Sequence, residues 1–409
     1  MRRILLCMLA AILMSGASVF TSCTNDDNPV LPDPVKIIDL ATITEAYTAQ
    51  DGETLTGLLP KDGSIYVADG ASITLKDVVI NPNSEYDTQD CAGINCLGDA
   101  TITLEGKNVI KSLGYSYPAL FVPEGYTLTI QGDGSLDASA CGEYDKLCPA
   151  IGSCRVVASC GNLVFLGGVI KVEGGFDSAA IGAGYSTTCG DITIGGTADI
   201  TAVGHRNGSG IGSGGGIWED KSICGDITIG GHAKVYASGS AAIGTYYIGK
   251  CGNITIGEDA YVIAKGENYS PGIGCGNSLT WCKAITISGG TVIATGSVYS
   301  PAIGTCCSDR VSCESITITG GAIVATGGAD SPAIGSGPEN IEDVPIVITS
   351  GIESLTATRG SDIADYIGAG EDSVPCSVTI DGVENATPES TFQHFNSSVN
   401  GRCWTLTKK

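Results

Sequence analysis

The residues able to do chemistry in this chain are few, and they recur. Asp191 and Asp226 open two identical runs, DITIGG at 191–196 and at 226–231. Carboxylates brought together from neighbouring segments can form an acid pair for glycoside cleavage or supply oxygen ligands to Ca²⁺. Asn253, Ala284 and Ser315 take the same place in later runs, so the acidic column is short, and Asp or Asn there also favours a plain chain corner. His205, Arg206 and His232 stand nearby but form no acid–base constellation with them. No catalytic residue is assigned, and Asp191 and Asp226 remain candidates for Ca²⁺ only. Aromatic side chains make the second set. Tyr185, Trp218, Tyr246 with Tyr247, and Trp281 fall in successive repeats, and Trp218 sits in the longest loop, SGGGIWEDKSI at 213–223. Aromatic faces pack against sugar rings by apolar burial and CH–π contact, which makes these five the candidate ligand-binding residues; the same rings could instead clamp their own loops. Tyr269 and Tyr299 form a shorter second column.

Cysteine is the third recurrent type. It stands just before an ITI-like run at Cys160, Cys189, Cys224, Cys251, Cys282, Cys313 and Cys376. Upstream companions (Cys154 for Cys160, Cys275 for Cys282, Cys306 or Cys307 for Cys313) and the short pairs Cys91/Cys96 and Cys141/Cys148 suggest disulfide staples on the loops. Cys189, Cys224 and Cys251 lack companions, but stacking would bring their Cα atoms within ~5 Å of one another, inside disulfide reach. Connectivity stays open. There is no C-x₂-C pair, and His205, His232 and His394 lie far from any ligand-like spacing, so structural cysteines are expected rather than a zinc-type site.

The element that positions all of these is a repeat. Ile151, Ile181, Ile211, Ile243, Ile273, Ile303, Ile334 and Ile367, each in an AIG or GIG or closely related triplet, are separated by 30, 30, 32, 30, 30, 31 and 33 residues. Each unit adds an ITI run and a third piece such as ITAVG (200–204), VYASG (235–239) or VIATG (292–296). In ITI both isoleucines share one face, and in VIATG the same alternation buries Val292 and Ala294 and exposes Ile293 and Thr295. Gly-Gly and Ser-Pro supply the corners. No stretch beyond the first two dozen residues has a helical period with caps. One unit cannot bury its own apolar side; stacking units at ~4.8 Å lays Ile on Ile and closes a core. The expected fold is all-β: a single-stranded, right-handed parallel β-helix of about 30 residues per coil. Propeller blades need about four strands and ~40–50 residues each, too many for this unit. Residues 36–90 are assigned to an N-terminal cap and first coil, 91–382 to the repeats and 383–409 to a C-terminal cap. The outward threonines 193, 228, 255, 286 and 317 stand singly rather than in T-x-T pairs, as strand residues do.

The N-terminus sets the compartment. MRRILLCMLAAILMSGASVFTSC has two arginines, an apolar stretch and small residues before Cys23, the layout of a secretory signal over 1–22. FTSC resembles a bacterial lipoprotein box, which would make Cys23 the lipid-bearing residue. Asn25, Asp26 and Asp27 resemble the acidic export tag of surface lipoproteins in gut Bacteroidetes, and 23–35 reads as a polar, Pro-containing tether. Loss of 1–22 removes Arg2 and Arg3 and no acid, leaving 19 basic against 44 acidic residues, a net −25. Such a charge argues against nucleic acid or an anionic lipid surface as partner. Contact with the membrane would run through the lipid anchor alone. Without Cys7 and Cys23, 16 of the 18 cysteines remain, an even number suited to an oxidising compartment.

With these motifs in place, AGINCLGDATITLEG (92–106), YPALFVPEGYTLTIQGDGSLDAS (117–139) and the CGDITIGG and SPAIGSG units resemble β-helix repeat lipoproteins of gut Bacteroidetes, often described as adhesin-like or carbohydrate-binding. The resemblance spans roughly 40–382. It implies an outer-membrane, cell-surface lipoprotein whose partner is a polysaccharide or a host or bacterial surface glycan, bound without catalysis and without a required cofactor. The alternative on the same scaffold is a polysaccharide lyase or glycoside hydrolase. The chain departs from lyase-like relatives in having no evident basic catalytic residue among its carboxylates.

Overall fold

A computed structural model describes residues 36–81, 91–113, 116–140, 147–218, 220–308 and 310–384, together with the backbone of 403–407. The expected signal at 1–22, the lipid site Cys23 and the tether at 23–35 lie outside the described residues, as do Cys141 and most of the segment assigned to the C-terminal cap. Among the described elements, all are strands except the single 3-10 turn Leu40–Thr42.

The strands stack as a parallel β-solenoid, and the repeat columns of the sequence are its ladders. The strands Ile151–Ser153, Ile181–Ala183, Ile211–Gly212, Ile243–Thr245, Ile273–Cys275, Ile303–Thr305, Ile334–Ser336 and Ile367–Ala369 pair Ile on Ile and Gly on Gly. They belong to a sheet of twelve strands. A second ladder joins Ile192–Ile194, Ile227–Ile229 and Ile254–Ile256, and a third joins Asp199–His205, Lys234–Gly239 and Tyr261–Gly266. Two coils fuse the second and third pieces into the long strands Thr280–Thr295 and Val311–Thr326, whose register shifts near the Gly-Gly corner.

Alternation decides what faces inward. Ile285, Ile287, Val292 and Ala294 are fully buried, whereas Thr286, Ile293 and Thr295 point outward. Each buried Ile side chain contributes roughly 1.5–3 kcal/mol by leaving water, and the stack repeats that gain coil after coil. The glycine of each IG pair allows the close approach. Gly304 has φ +135°, and a Cβ there would lie 2.0 Å from the carbonyl oxygen of Gly335 in the next coil.

The ends are built differently. Parallel pairing begins at Ile37–Asp39 against Thr54–Leu58. At the other end Ser354–Thr358 pairs antiparallel with Cys403–Thr407, and Val378–Ile380 with Val383–Glu384. These reversals close part of a sheet edge that would otherwise accept another chain.

Candidate functional site

The acidic column is a structural ladder at the corner before the ITI strands. The side-chain oxygen of Asn162 accepts the Asp191 amide at 2.9 Å, Asp191 Oδ1 accepts the Asp226 amide at 2.8 Å, and Asp226 Oδ1 accepts the Asn253 amide at 2.7 Å. Asn253 Nδ2 also donates to both Asp226 oxygens. Nearer the N-terminus Asp69 and Asp99 repeat the arrangement, accepting the amides of Asp99 and Thr127. Each Asx thus holds the next coil by its backbone. Among the described residues no group of three or more His, Cys, Asp or Glu side chains converges in a way that could hold a metal ion.

The cysteines stack too. Cys160, Cys189, Cys224, Cys251, Cys282 and Cys313 occupy one register column and point inward. Successive thiols from Cys160 to Cys282 are within hydrogen-bonding contact. Among the described residues Cys96, Cys154, Cys160, Cys189, Cys224, Cys251, Cys275, Cys282, Cys306, Cys307, Cys313 and Cys376 are free thiols, so the staples expected of Cys91 with Cys96, Cys154 with Cys160, Cys275 with Cys282, and Cys306 or Cys307 with Cys313 are not formed here. The column cysteines extend the inward face of the ITI strand, where the Cys282 thiol meets both Cys251 of the preceding coil and its expected companion Cys275. Burial pushes the Cys282 and Cys313 thiols well above the usual range. Cys376 stands apart, bonding Ser336 and the Gly368 carbonyl.

The five aromatic candidates do not form one continuous ladder. Tyr185, Trp218 and Tyr247 line a common cleft of about 480 Å³, with Ile217, Leu279 and Arg310. Trp218 is 62% exposed and Tyr247 40% exposed. Tyr246 turns inward to 6% exposure, and burial lifts its phenol to about 12. It is therefore a packing residue of the loop, its ring centroid 6.4 Å from that of Tyr247. The Trp218 loop is held flat by glycine: a Cβ at Gly216 would meet the Ile248 carbonyl oxygen at 2.4 Å, while the Gly216 amide donates to Tyr247 O at 2.9 Å. This backbone tie leaves the indole to project.

Trp281 lies on the strand Thr280–Thr295 rather than in a loop, one residue before Cys282 and in register with Lys250. It lines a second groove of about 590 Å³ with Lys221, Lys250 and Lys283; Asp191 and Asp226 also face it. Lys221 Nζ sits 3.9 Å from the Trp281 ring centroid and Lys250 Nζ 5.7 Å from it. The pattern extends to the first cleft, where Arg310 lies 5.6 Å from the Trp218 ring and Arg155 6.0 Å from Tyr185. Sequence reasoning passed over these cations. The available signal was Lys250 and Trp281 each standing immediately before a column cysteine, and Lys221 sharing the Trp218 loop.

Tyr269 and Tyr299 form the stacked pair expected of the second column, with centroids 6.2 Å apart and planes 14° from parallel. Both hold left-handed backbone angles, φ +61° and +60°, uncommon for a bulky residue. The chain matches no family model, no curated protein and no solved structure. The class that fold and surface define is a parallel β-solenoid with aromatic clefts along one edge.

Proposed function

We propose that this protein is a cell-surface lipoprotein that binds polysaccharide along its aromatic edge without cleaving it. The observation that carries this reading is the exposure of Trp218 and Tyr247 beside Tyr185 in one cleft, adjoining the Trp281 groove. Large exposed aromatic surface is costly to leave in water and is well suited to the apolar faces of sugar rings. The solenoid supports it, because the two clefts can engage successive units of one chain and multiply weak contacts. The Asx column favours binding over hydrolysis, since its side-chain oxygens accept backbone amides of the next coil.

Anchoring through Cys23 and display on the outer membrane belong to the same proposal, resting on the signal layout and the acidic run Asp26–Asp27. Cys23→Ala should release the exported protein from membranes, and continued retention would end the lipoprotein reading. The binding reading is tested with the mature chain on a panel of neutral and acidic glycans, alongside an assay for new reducing ends and unsaturated uronates. Saturable binding without product supports it. Product formation would favour the enzyme, and absence of binding to every glycan would remove it.

A further inference from the structure

The Trp281 groove has a feature that sugar stacking alone does not require. Two ammonium groups, Lys221 and Lys250, converge on the Trp281 ring from adjoining coils. Among the described residues neither they nor Lys283 makes an ion pair, although the chain carries 44 acidic residues against 21 basic ones. Of the acids facing this groove, Asp191 and Asp226 accept backbone amides, and Glu314 is the third. Like charges held together beside an aromatic wall repel each other, and an anion between them relieves that repulsion. Burial and the neighbouring Lys250 charge both pull the Lys221 pKa down from the ordinary lysine value, the mark of an ammonium that lacks a counter-charge. Arg310 and Arg155 over Trp218 and Tyr185 extend the cations along the same edge.

Resting on the carbohydrate-binding reading above, we propose that the Trp281 groove takes the carboxylate or sulfate groups of an anionic sugar chain between Lys221 and Lys250, with a sugar ring against the indole. Lys221 covers the ring face in this structure, so the ligand engages by drawing that ammonium onto its anionic group, exchanging a cation–π contact for a charge-assisted hydrogen bond. A neutral sugar must displace the lysine with no such return. The groove therefore selects for charge within an otherwise strongly acidic protein.

The test titrates the mature chain with polygalacturonate and its fully methyl-esterified form, and with a sulfated galactan and its desulfated form, at low and moderate salt. The charged member of at least one pair should bind about tenfold tighter than its neutral partner, the equivalent of about 1.4 kcal/mol, and the preference should shrink as salt rises. The double variant Lys221→Gln/Lys250→Gln, checked for an unchanged melting temperature, should bind both members alike. Preference for the carboxylate or for the sulfate pair names which source supplies the anion, and either supports the proposal. Equal binding of charged and neutral forms, or a preference that survives in the double variant, overturns it while leaving carbohydrate binding intact. Failure of all four sugars to bind overturns this inference, while the carbohydrate reading is decided separately by the wider glycan panel.

Discussion

Replacing Gly304 by alanine tests whether coil spacing is set by the stacked glycines. At φ +135° an L-residue is strained, and the added Cβ would lie 2.0 Å from Gly335 O and 2.9 Å from Gly335 C. The strained backbone costs about 1–3 kcal/mol. The contact must open by roughly 1 Å against a spacing of ~4.8 Å between coils, an overpacking cost of about 1–3 kcal/mol. Together they predict a loss of about 2–6 kcal/mol, or a fall in melting temperature of about 4–12 °C at roughly 2 °C per kcal/mol for a domain of this size. Gly125→Ala is the control, because Gly125 has φ +87° with nothing within 4 Å of a built Cβ. It carries the backbone cost without the collision, about 1–3 kcal/mol. The assay is thermal melting of both variants, with amide exchange by mass spectrometry to locate the weakened region. In a solenoid each coil contacts only its neighbours, so exchange should accelerate in the strands flanking Gly304 and spare those near residue 100. A melting point for Gly304→Ala equal to that of Gly125→Ala would refute the argument that the carbonyl collision matters.

Trp218→Ala should weaken glycan binding by about 1–2 kcal/mol, roughly five- to thirtyfold, with little change in melting; Tyr246→Ala should instead destabilise by about 3 kcal/mol or more. The reverse pattern would exchange the roles of the two rings. In the reduced protein, iodoacetamide at pH 8 should label Cys307 ahead of the buried cysteines of the ladder, since the hydrogen bond from Cys306 lowers its pKa and it is partly exposed. Equal labelling of Cys282 or Cys313, raised by burial, would contradict the ladder. Burial pulls the Glu53 pKa upward, but hydrogen bonds from Lys36, the Gln50 amide and Tyr47 outweigh it, so the folded value lies below the unfolded one. That stabilisation is present above the unfolded carboxylate pKa of about 4.3 and is lost as pH falls through the lower folded value. Glu53→Gln should therefore be less stable than wild type at pH 7 and approach it in acid; a gap independent of pH would disprove the assignment.

The ladders were legible because they depend on spacing alone. Ile243, Ile273 and Ile303 stand 30 residues apart and stack Ile on Ile; the alternation in VIATG likewise gives the inward Val292 and Ala294. The cysteine column was visible for the same reason, and stacking brings Cys189, Cys224 and Cys251 together as expected, though as thiols rather than disulfides. Spacing along the chain pointed to Cys275 with Cys282, whereas the fold also stacks Cys251, Cys282 and Cys313 in adjoining coils. The aromatic edge was only partly readable. Both Tyr247 and Trp281 follow an AIG or GIG triplet and so were grouped together, but Tyr247 stands four residues past Ile243 and Trp281 eight past Ile273, and Trp281 falls in the strand column of Lys250. A loop can lengthen by two residues without disturbing the ladder, so spacing gives no account of where its rings point.

That asymmetry bears on where binding should be sought. In the ladders nearly every inward position is fixed by the coil above and below, and the corner residues are committed to holding neighbours, as Asp191 and Asp226 are. Specificity must then come from positions the stacking leaves unconstrained, namely outward strand residues and the loops between strands. Lys250 and Trp281 are outward members of one column, while Lys221 and Trp218 come from the loop that lengthens its repeat to 32 residues. The groove exists because that loop brings Lys221 onto the strand column, close enough to lie on the indole. Shortening 214–221 to the common repeat length, with Lys221 among the residues removed, should keep the solenoid folded, since the ladder glycines and isoleucines are untouched, while taking Lys221 away from the Trp281 ring. Binding of the anionic sugar should fall to that of its neutral form in such a variant, while far-ultraviolet circular dichroism stays that of the parent. If charge preference persisted after the deletion, recognition would have to lie in the outward strand columns alone.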